Sequence, residues 1–141
     1  MEADERLAAI LAAHAGVEGP LLPILHEVQR VFGCVTPAAQ RAIAGALNLS
    51  RAEVHGVVSF YHDFTEQAEA RPCVELCRAE ACQARGVEAL VAAAEAAAGS
   101  RVKLATVYCL GLCSVGPSAR VGDALYARLD AAGLVKLVEE A

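Results

Sequence analysis

Two pairs of cysteines constrain the fold more than any other feature of this 141-residue chain. Cys77 and Cys82 have four residues between them, and Cys109 and Cys113 have three, in a glycine-containing run that ends at Pro117. The 26 residues that separate the two pairs are enough for a helix and a strand. If the four thiols act together, the fold must therefore bring two distant loops to one place.

The second half of the chain alternates between strand and helix patterns. The sequence predicts strands over 73–76, 102–107, 119–121 and 124–128, and helices over 83–98 and 130–140. The order β-α-β-β-β-α is that of a thioredoxin-like unit with a mixed sheet. We expect this unit to span residues 71–141.

The first half is helical in pattern, and we expect residues 1–66 to form a small bundle of four helices. Thr36 followed by Pro37 is typical of an N-cap and a first helical residue. Ser50 and Glu53 have the spacing of a capping box. Together the two halves predict an α+β fold.

The topology of the second half predicts that the four thiols meet. A strand, a helix and a strand of this length make two parallel strands, which end at the same edge of the sheet. Cys77 follows the first predicted strand and Cys109 the second, while Cys82 lies where the helix begins, near its backbone N–H groups. Gly111 and Gly116 would let the backbone approach closely and donate to sulfur. Four thiolates are the ligands of a [2Fe-2S] cluster.

A zinc site or a disulfide fits the spacing of the cysteines less well. A structural zinc site usually has tighter C-x2-C loops, and a disulfide or redox dithiol needs an oxidising compartment or a C-x-x-C motif. Cys34 and Cys73 are expected to be structural, with Cys73 a small buried side chain. Pro117 is expected to be an ordinary loop proline, with a cis bond after Gly116 as the alternative.

Composition excludes several classes of function. The net charge is −5 and no run of basic residues occurs, which argues against nucleic-acid binding. No stretch of eighteen apolar residues predicts a membrane span, and the acidic N-terminus does not resemble a signal peptide. We therefore expect a cytoplasmic protein whose cysteines bind metal.

The residues resemble those of a known family, the thioredoxin-like [2Fe-2S] subunit of NADH dehydrogenases, known as the 24 kDa or E subunit of complex I. The similarity covers nearly the whole chain and includes the run from Val54 to Tyr61 and both cysteine pairs. It implies that Cys77, Cys82, Cys109 and Cys113 bind one [2Fe-2S] cluster. It also implies a redox subunit with no catalytic residues of its own, which exchanges single electrons with an FMN- and NAD(H)-binding partner in a multi-subunit complex.

Three local runs look most similar to the gamma subunit of soluble NAD-dependent, molybdenum-containing formate dehydrogenases. They begin at Asn48, Cys77 and Val107. The alternatives are the E subunit of NADH-quinone oxidoreductase, a subunit of an NAD-linked hydrogenase, a free-standing thioredoxin-like ferredoxin, or a zinc module without a redox role. Phe60, Tyr61 and Phe64 either contact the partner or pack internally against the thioredoxin-like half. His55 and His62 are expected to be surface or partner-facing residues and not metal ligands.

Overall fold

The computed structural model describes residues 1–141, and the chain divides into two compact units, Met1–Glu69 and Ala70–Ala141. Helices make up the first unit, and the second combines helices with a sheet. The predicted α+β class is confirmed, and each unit has its own hydrophobic core.

The first unit contains four helices, with short connections between them. They are α1 (Glu2–Ala13), α2 (Leu21–Phe32), α3 (Pro37–Leu47) and α4 (Arg51–Phe60). The Thr36 side chain accepts a hydrogen bond from the Ala39 N–H at 3.1 Å, as expected of an N-cap. Ser50 and Glu53 form a complete capping box, so both predicted helix starts are confirmed.

The core of the helical unit is built from aliphatic side chains of all four helices and of the connection between α2 and α3. Its fully buried members include Ile24, Leu25, Val28, Val35, Ile43 and Val54. Phe64 also belongs to this core, with 6% of its surface exposed, whereas Phe60 is 75% exposed and Tyr61 41%. The three aromatic residues therefore differ: Phe64 packs internally, and Phe60 and Tyr61 lie on the surface.

The second unit contains a four-stranded sheet and three helices. Its elements are β1 (Cys73–Cys77), α5 (Glu80–Ala84), α6 (Glu88–Ala98), β2 (Lys103–Val107), β3 (Ala119–Val121), β4 (Ala124–Tyr126) and α7 (Ala131–Glu140), with a 3-10 turn at Cys113–Val115. The strand order is β2-β1-β3-β4. β1 runs parallel to β2 and antiparallel to β3, which is the predicted mixed sheet.

Small side chains allow close packing beside this sheet. Ala94 and Ala98 of α6 and Leu134 and Val138 of α7 are buried in one core with Val74 and Leu76 of β1. The short alanine side chains of α6 allow α7 to pack closely against it. Helices α6 and α7 thus share a core with β1, the strand that ends at Cys77.

The predicted helix over 83–98 is wrong in one respect, because the structure has two helices there. α5 ends at Ala84 and α6 begins at Glu88, with Gly86 between them at φ 89°. This left-handed conformation costs glycine little and interrupts the helix. Cys82 consequently lies within a short helix and not at the start of a long one.

The Gly116–Pro117 peptide is cis, so Pro117 is not the ordinary loop proline that we expected.

None of the seven helices combines the length and the apolar character needed to cross a membrane.

Candidate iron–sulfur site

The ends of two parallel strands define the site. Cys77 is the last residue of β1 and is paired in register with Val107, the last residue of β2. Past this pair, the Arg78 N–H donates to the Val107 carbonyl at 2.9 Å, and the Cys77 N–H donates to the Ser118 carbonyl at 3.0 Å. The loops that carry the two cysteine pairs therefore start at the same edge of the sheet.

Cys77 lies at the centre of the site and is only 2% exposed. Burial acts to raise the pKa of its thiol, but hydrogen bonds from the backbone N–H groups of Ala79, Cys109 and Leu110 lower it by more. The Cys82 side chain also contributes to lowering the pKa of Cys77. Donors from both loops thus stabilise a thiolate at this position.

Cys82 reaches the same place from α5 and is also 2% exposed. Its Sγ lies 3.7 Å from the Ser118 Oγ. The backbone of Gly116 passes so close that a Cβ there would be 2.9 Å from the Cys82 Sγ. The expected close approach at Gly116 therefore occurs, and its target is the sulfur of a predicted ligand.

The second pair differs from the first because both of its cysteines are exposed. The Cys109 and Cys113 Sγ atoms are 3.6 Å apart, and the Gly111 N–H donates to the Cys109 Sγ at 3.3 Å. The hydrogen bond and the charge of Cys109 raise the pKa of the Cys113 thiol. Ionisation of one thiol of this pair therefore disfavours ionisation of the other, unless a cation lies between the two sulfurs.

Cys109 has an uncommon backbone conformation, with φ 81°. Residues other than glycine rarely adopt this region, and they keep it where surrounding contacts enforce it. Here the conformation accompanies the hydrogen bond from the Gly111 N–H to the Cys109 Sγ at 3.3 Å. No spacing pattern in the sequence predicts this feature.

The donor set suits a two-iron cluster. Two sulfurs bound to one tetrahedral metal lie about 3.8 Å apart when each metal–sulfur bond is about 2.3 Å, and the 3.6 Å between Cys109 and Cys113 is close to this. No group of three or more His, Cys, Asp or Glu side chains surrounds a single metal-ion position. A [2Fe-2S] cluster needs only two protein thiolates at each iron, because the sulfides supply the other ligands.

Polar side chains hold the two loops in place, and spacing alone did not predict them. The Gln83 side chain donates to the Arg78 carbonyl at 2.7 Å, across the loop between Cys77 and Cys82. Arg78 forms a two-point ion pair with Glu88 at the start of α6. Arg85 donates from Nε to the Cys113 carbonyl at 3.1 Å and so joins the two pairs. The contact of Arg85 with Cys113 forms only after two distant segments have come together.

The remaining cysteines lie elsewhere. Cys73 begins β1, four residues before Cys77, and is half-buried, so it is less enclosed than we expected. At about 3.3 Å per residue, it is roughly 13 Å from Cys77 along the strand. Cys34 belongs to the helical unit and is half-buried.

His55 and His62 also belong to the helical unit and are exposed, as expected. Both line a cavity of about 350 Å³, and the His55 Nδ1 lies 3.2 Å from the Gln40 Oε1.

Comparison with known proteins identifies the family of the chain. Residues 7–141 match the family described as thioredoxin-like [2Fe-2S] ferredoxin. The chain belongs to this family. The predicted cofactor, one [2Fe-2S] cluster, and the predicted thioredoxin-like fold are thereby confirmed.

Several known proteins are similar along most of the chain. One is the E 2 subunit of NADH-quinone oxidoreductase from Rhizobium meliloti, 30% identical over 96% of this chain and 86% of its own length. Another is subunit HndA of the NADP-reducing hydrogenase of Solidesulfovibrio fructosivorans, 29% identical over 87% of this chain and 77% of its own. Both are subunits of oxidoreductases that act on nicotinamide nucleotides or quinones, as their names state.

Among solved structures, the NAD+-reducing [NiFe]-hydrogenase in its H2-reduced state is similar to 86% of this chain, with a TM-score of 0.71 and 26% identity. The match covers only 22% of the hydrogenase chain, so this chain corresponds to about a fifth of that protein.

Proposed function

We propose that the chain is an electron-transfer subunit whose [2Fe-2S] cluster is bound by Cys77, Cys82, Cys109 and Cys113. The observation that carries the proposal is the meeting of both cysteine loops at one edge of the sheet, where the Arg85 Nε donates to the Cys113 carbonyl at 3.1 Å and so joins them. When bound, the cluster takes up or gives back one electron at a time. The protein supplies the four thiolates, the donors to sulfur and the shielding from water.

The proposed ligands are shielded from solvent to different degrees, so the site has a buried side and an exposed side. Cys77 and Cys82 are each 2% exposed, whereas Cys109 and Cys113 lie at the surface. Electrons would enter and leave on the exposed side, since a redox partner can approach those sulfurs most closely. Backbone donors to sulfur at both pairs stabilise the negative charge that each added electron brings.

The partner is, on this proposal, a flavin-containing subunit that oxidises NADH or reduces NAD+, within a complex of the quinone-reducing or hydrogenase type. Support comes from the similarity to subunits of both kinds of enzyme. Residues 1–66 and 71–141 would serve as a helical domain and a ferredoxin domain. The assignment to a formate dehydrogenase, made from three local runs of sequence, stays a prediction.

The ligand set is tested by serine substitution in the purified chain. The unchanged protein should contain about two irons and two sulfides per chain and give an EPR signal only after reduction. Cys82→Ser and Cys109→Ser should lose or strongly alter that signal, because each removes one of the four thiolates. Cys73→Ser is the matched control on β1 and should leave the signal unchanged; an equal loss in all three variants would refute the ligand set.

The partner is tested by purifying the tagged chain from its native cells under mild conditions. Recovery with a flavoprotein that reacts with NADH supports the proposal, and further subunits identify the enzyme. Recovery of the cluster-containing chain alone, at every ionic strength tried, would favour the free-standing ferredoxin.

A further inference from the structure

Arg85 lies between the two cysteine pairs and contacts both. It follows α5, the helix that carries Cys82, and its Nε donates to the carbonyl of Cys113 at 3.1 Å. The backbone N–H of Arg85 donates to the carbonyls of Ala81 and Cys82, at 3.2 Å in each case, which fixes the start of its side chain. One residue thus connects a ligand of each pair.

The aliphatic part of the Arg85 side chain is also held. A Cβ built on Gly116 would lie 3.4 Å from the Arg85 Cδ and 2.9 Å from the Cys82 Sγ, so both groups lie against the same glycine. Gly116 directly follows the 3-10 turn that begins at Cys113. The stem of Arg85 and the sulfur of Cys82 therefore lie beside the same glycine, while the guanidinium reaches the backbone of Cys113.

Arg85 and the neighbouring Arg78 differ in whether a carboxylate lies beside the charged group. Arg78 forms an ion pair with Glu88, which cancels much of its field at a distance. The ion pairs of the chain include none between Arg85 and a carboxylate. The positive charge of Arg85 thus acts on the site with less compensation.

We propose that Arg85 is a positioning residue that joins the two ligand loops and raises the reduction potential of the cluster through its charge. Two ferric ions, two sulfides and four thiolates carry a net charge of about −2, and the reduced cluster carries one more negative charge. A nearby cation stabilises the reduced state more than the oxidised state. This inference rests on the ligand set of the proposed function.

Potentiometric titration of the EPR signal tests the inference in three variants of the full chain. Arg85→Gln removes the charge but keeps a donor, and Arg85→Lys keeps the charge but loses the planar group. Lys103→Gln is the control, since it removes one positive charge at the far end of β2, at the residue paired with Cys73. Beyond a Debye length of about 8 Å, that charge is largely screened.

We expect Arg85→Gln to shift the equilibrium between the reduced and the oxidised cluster about tenfold toward the oxidised form. For a one-electron couple, this is a fall in reduction potential of about 59 mV. Arg85→Lys and Lys103→Gln should each shift the potential by less than half of this. The shift in Arg85→Gln should also shrink at high salt, because Arg85 is exposed. A loss of structure alone would not depend on salt in this way.

Three results would overturn the inference: an unchanged potential in Arg85→Gln, an equal fall in Arg85→Lys, or an equal fall in Lys103→Gln. If Arg85→Gln retains no cluster, Arg85→Lys decides, because a bound cluster of near-normal potential supports the role of the charge and a lost cluster refutes it. Absence of a cluster from the unchanged protein would instead refute the proposed function.

Discussion

Replacing Gly116 with alanine tests how tightly the fold encloses the Cys82 sulfur. The backbone of Gly116, at φ −68° and ψ 169°, is one that alanine adopts without strain. Any effect of the added methyl group must therefore come from its contacts. The nearest are the Cys82 Sγ at 2.9 Å, the Arg85 Cδ at 3.4 Å and the Cys82 Cα at 3.8 Å.

The magnitude follows from these distances. Ordinary van der Waals contact begins near 3.4 Å, so the sulfur or the turn must move by at least 0.5 Å, the difference between 2.9 and 3.4 Å. Cys82 is buried and its sulfur has little free space in which to move. Overpacking of this kind costs about 1–3 kcal/mol of stability. Because the clash falls on a proposed ligand, the cluster should be affected as well.

The assay combines urea unfolding of the cluster-free chain with the iron content and EPR spectrum of the loaded chain. Gly116→Ala should unfold at lower urea concentration and should bind less iron or show shifted EPR features. Gly45→Ala is the matched control, because it lies within α3 and a Cβ there meets nothing within 4 Å. That change should stabilise the chain by up to about 1 kcal/mol through helix propensity. If Gly116→Ala has normal stability, iron content and spectrum, the proposed close packing around Cys82 is refuted.

Two further predictions concern the capping box of α4. Ser50→Ala removes the acceptor for the Glu53 N–H and should destabilise the helical unit by about 1 kcal/mol in urea unfolding. The control, Ser59→Ala, lies near the end of the same helix and should change stability much less. Equal losses of stability in the two variants would contradict the capping role. Hydrogen bonds from the backbone and side chain of Ser50 lower the pKa of Glu53 in the folded state, so its contribution is present above the unfolded pKa and is lost as pH falls through the lower folded pKa. Glu53→Gln should therefore lose less stability than the unchanged chain between pH 7 and pH 3, and an identical loss in both proteins would contradict the assignment.

Local features were predictable from sequence wherever a few neighbouring residues decide the outcome. The caps at Thr36 and Ser50 involve groups within a turn of one another. The long helix over 83–98 was the main error. Its alanine-rich composition favours helix throughout, and the break occurs at Gly86, whose left-handed conformation brings the chain from α5 into α6.

The Gly111 N–H donates to the Cys109 sulfur as predicted, but the donors near the first cysteine pair differed from the prediction. We expected donors from the start of a long helix at Cys82. Instead, backbone N–H groups of Ala79 in its own loop and of Cys109 and Leu110 in the other contribute to lowering the pKa of Cys77. Such donors depend on the path of two loops, which spacing does not specify.

The sequence by itself determined the order of strands along the chain and the shared edge at which the two cysteine loops leave the sheet. It could do so because parallel strands joined by a helical connection share an edge, whatever the details of their packing. Only the tertiary structure decided that Cys77 and Cys82 are buried and Cys109 and Cys113 exposed. It alone placed Gly116 against one sulfur and Arg85 between the two pairs, because those contacts join residues more than twenty positions apart whose approach depends on the whole fold.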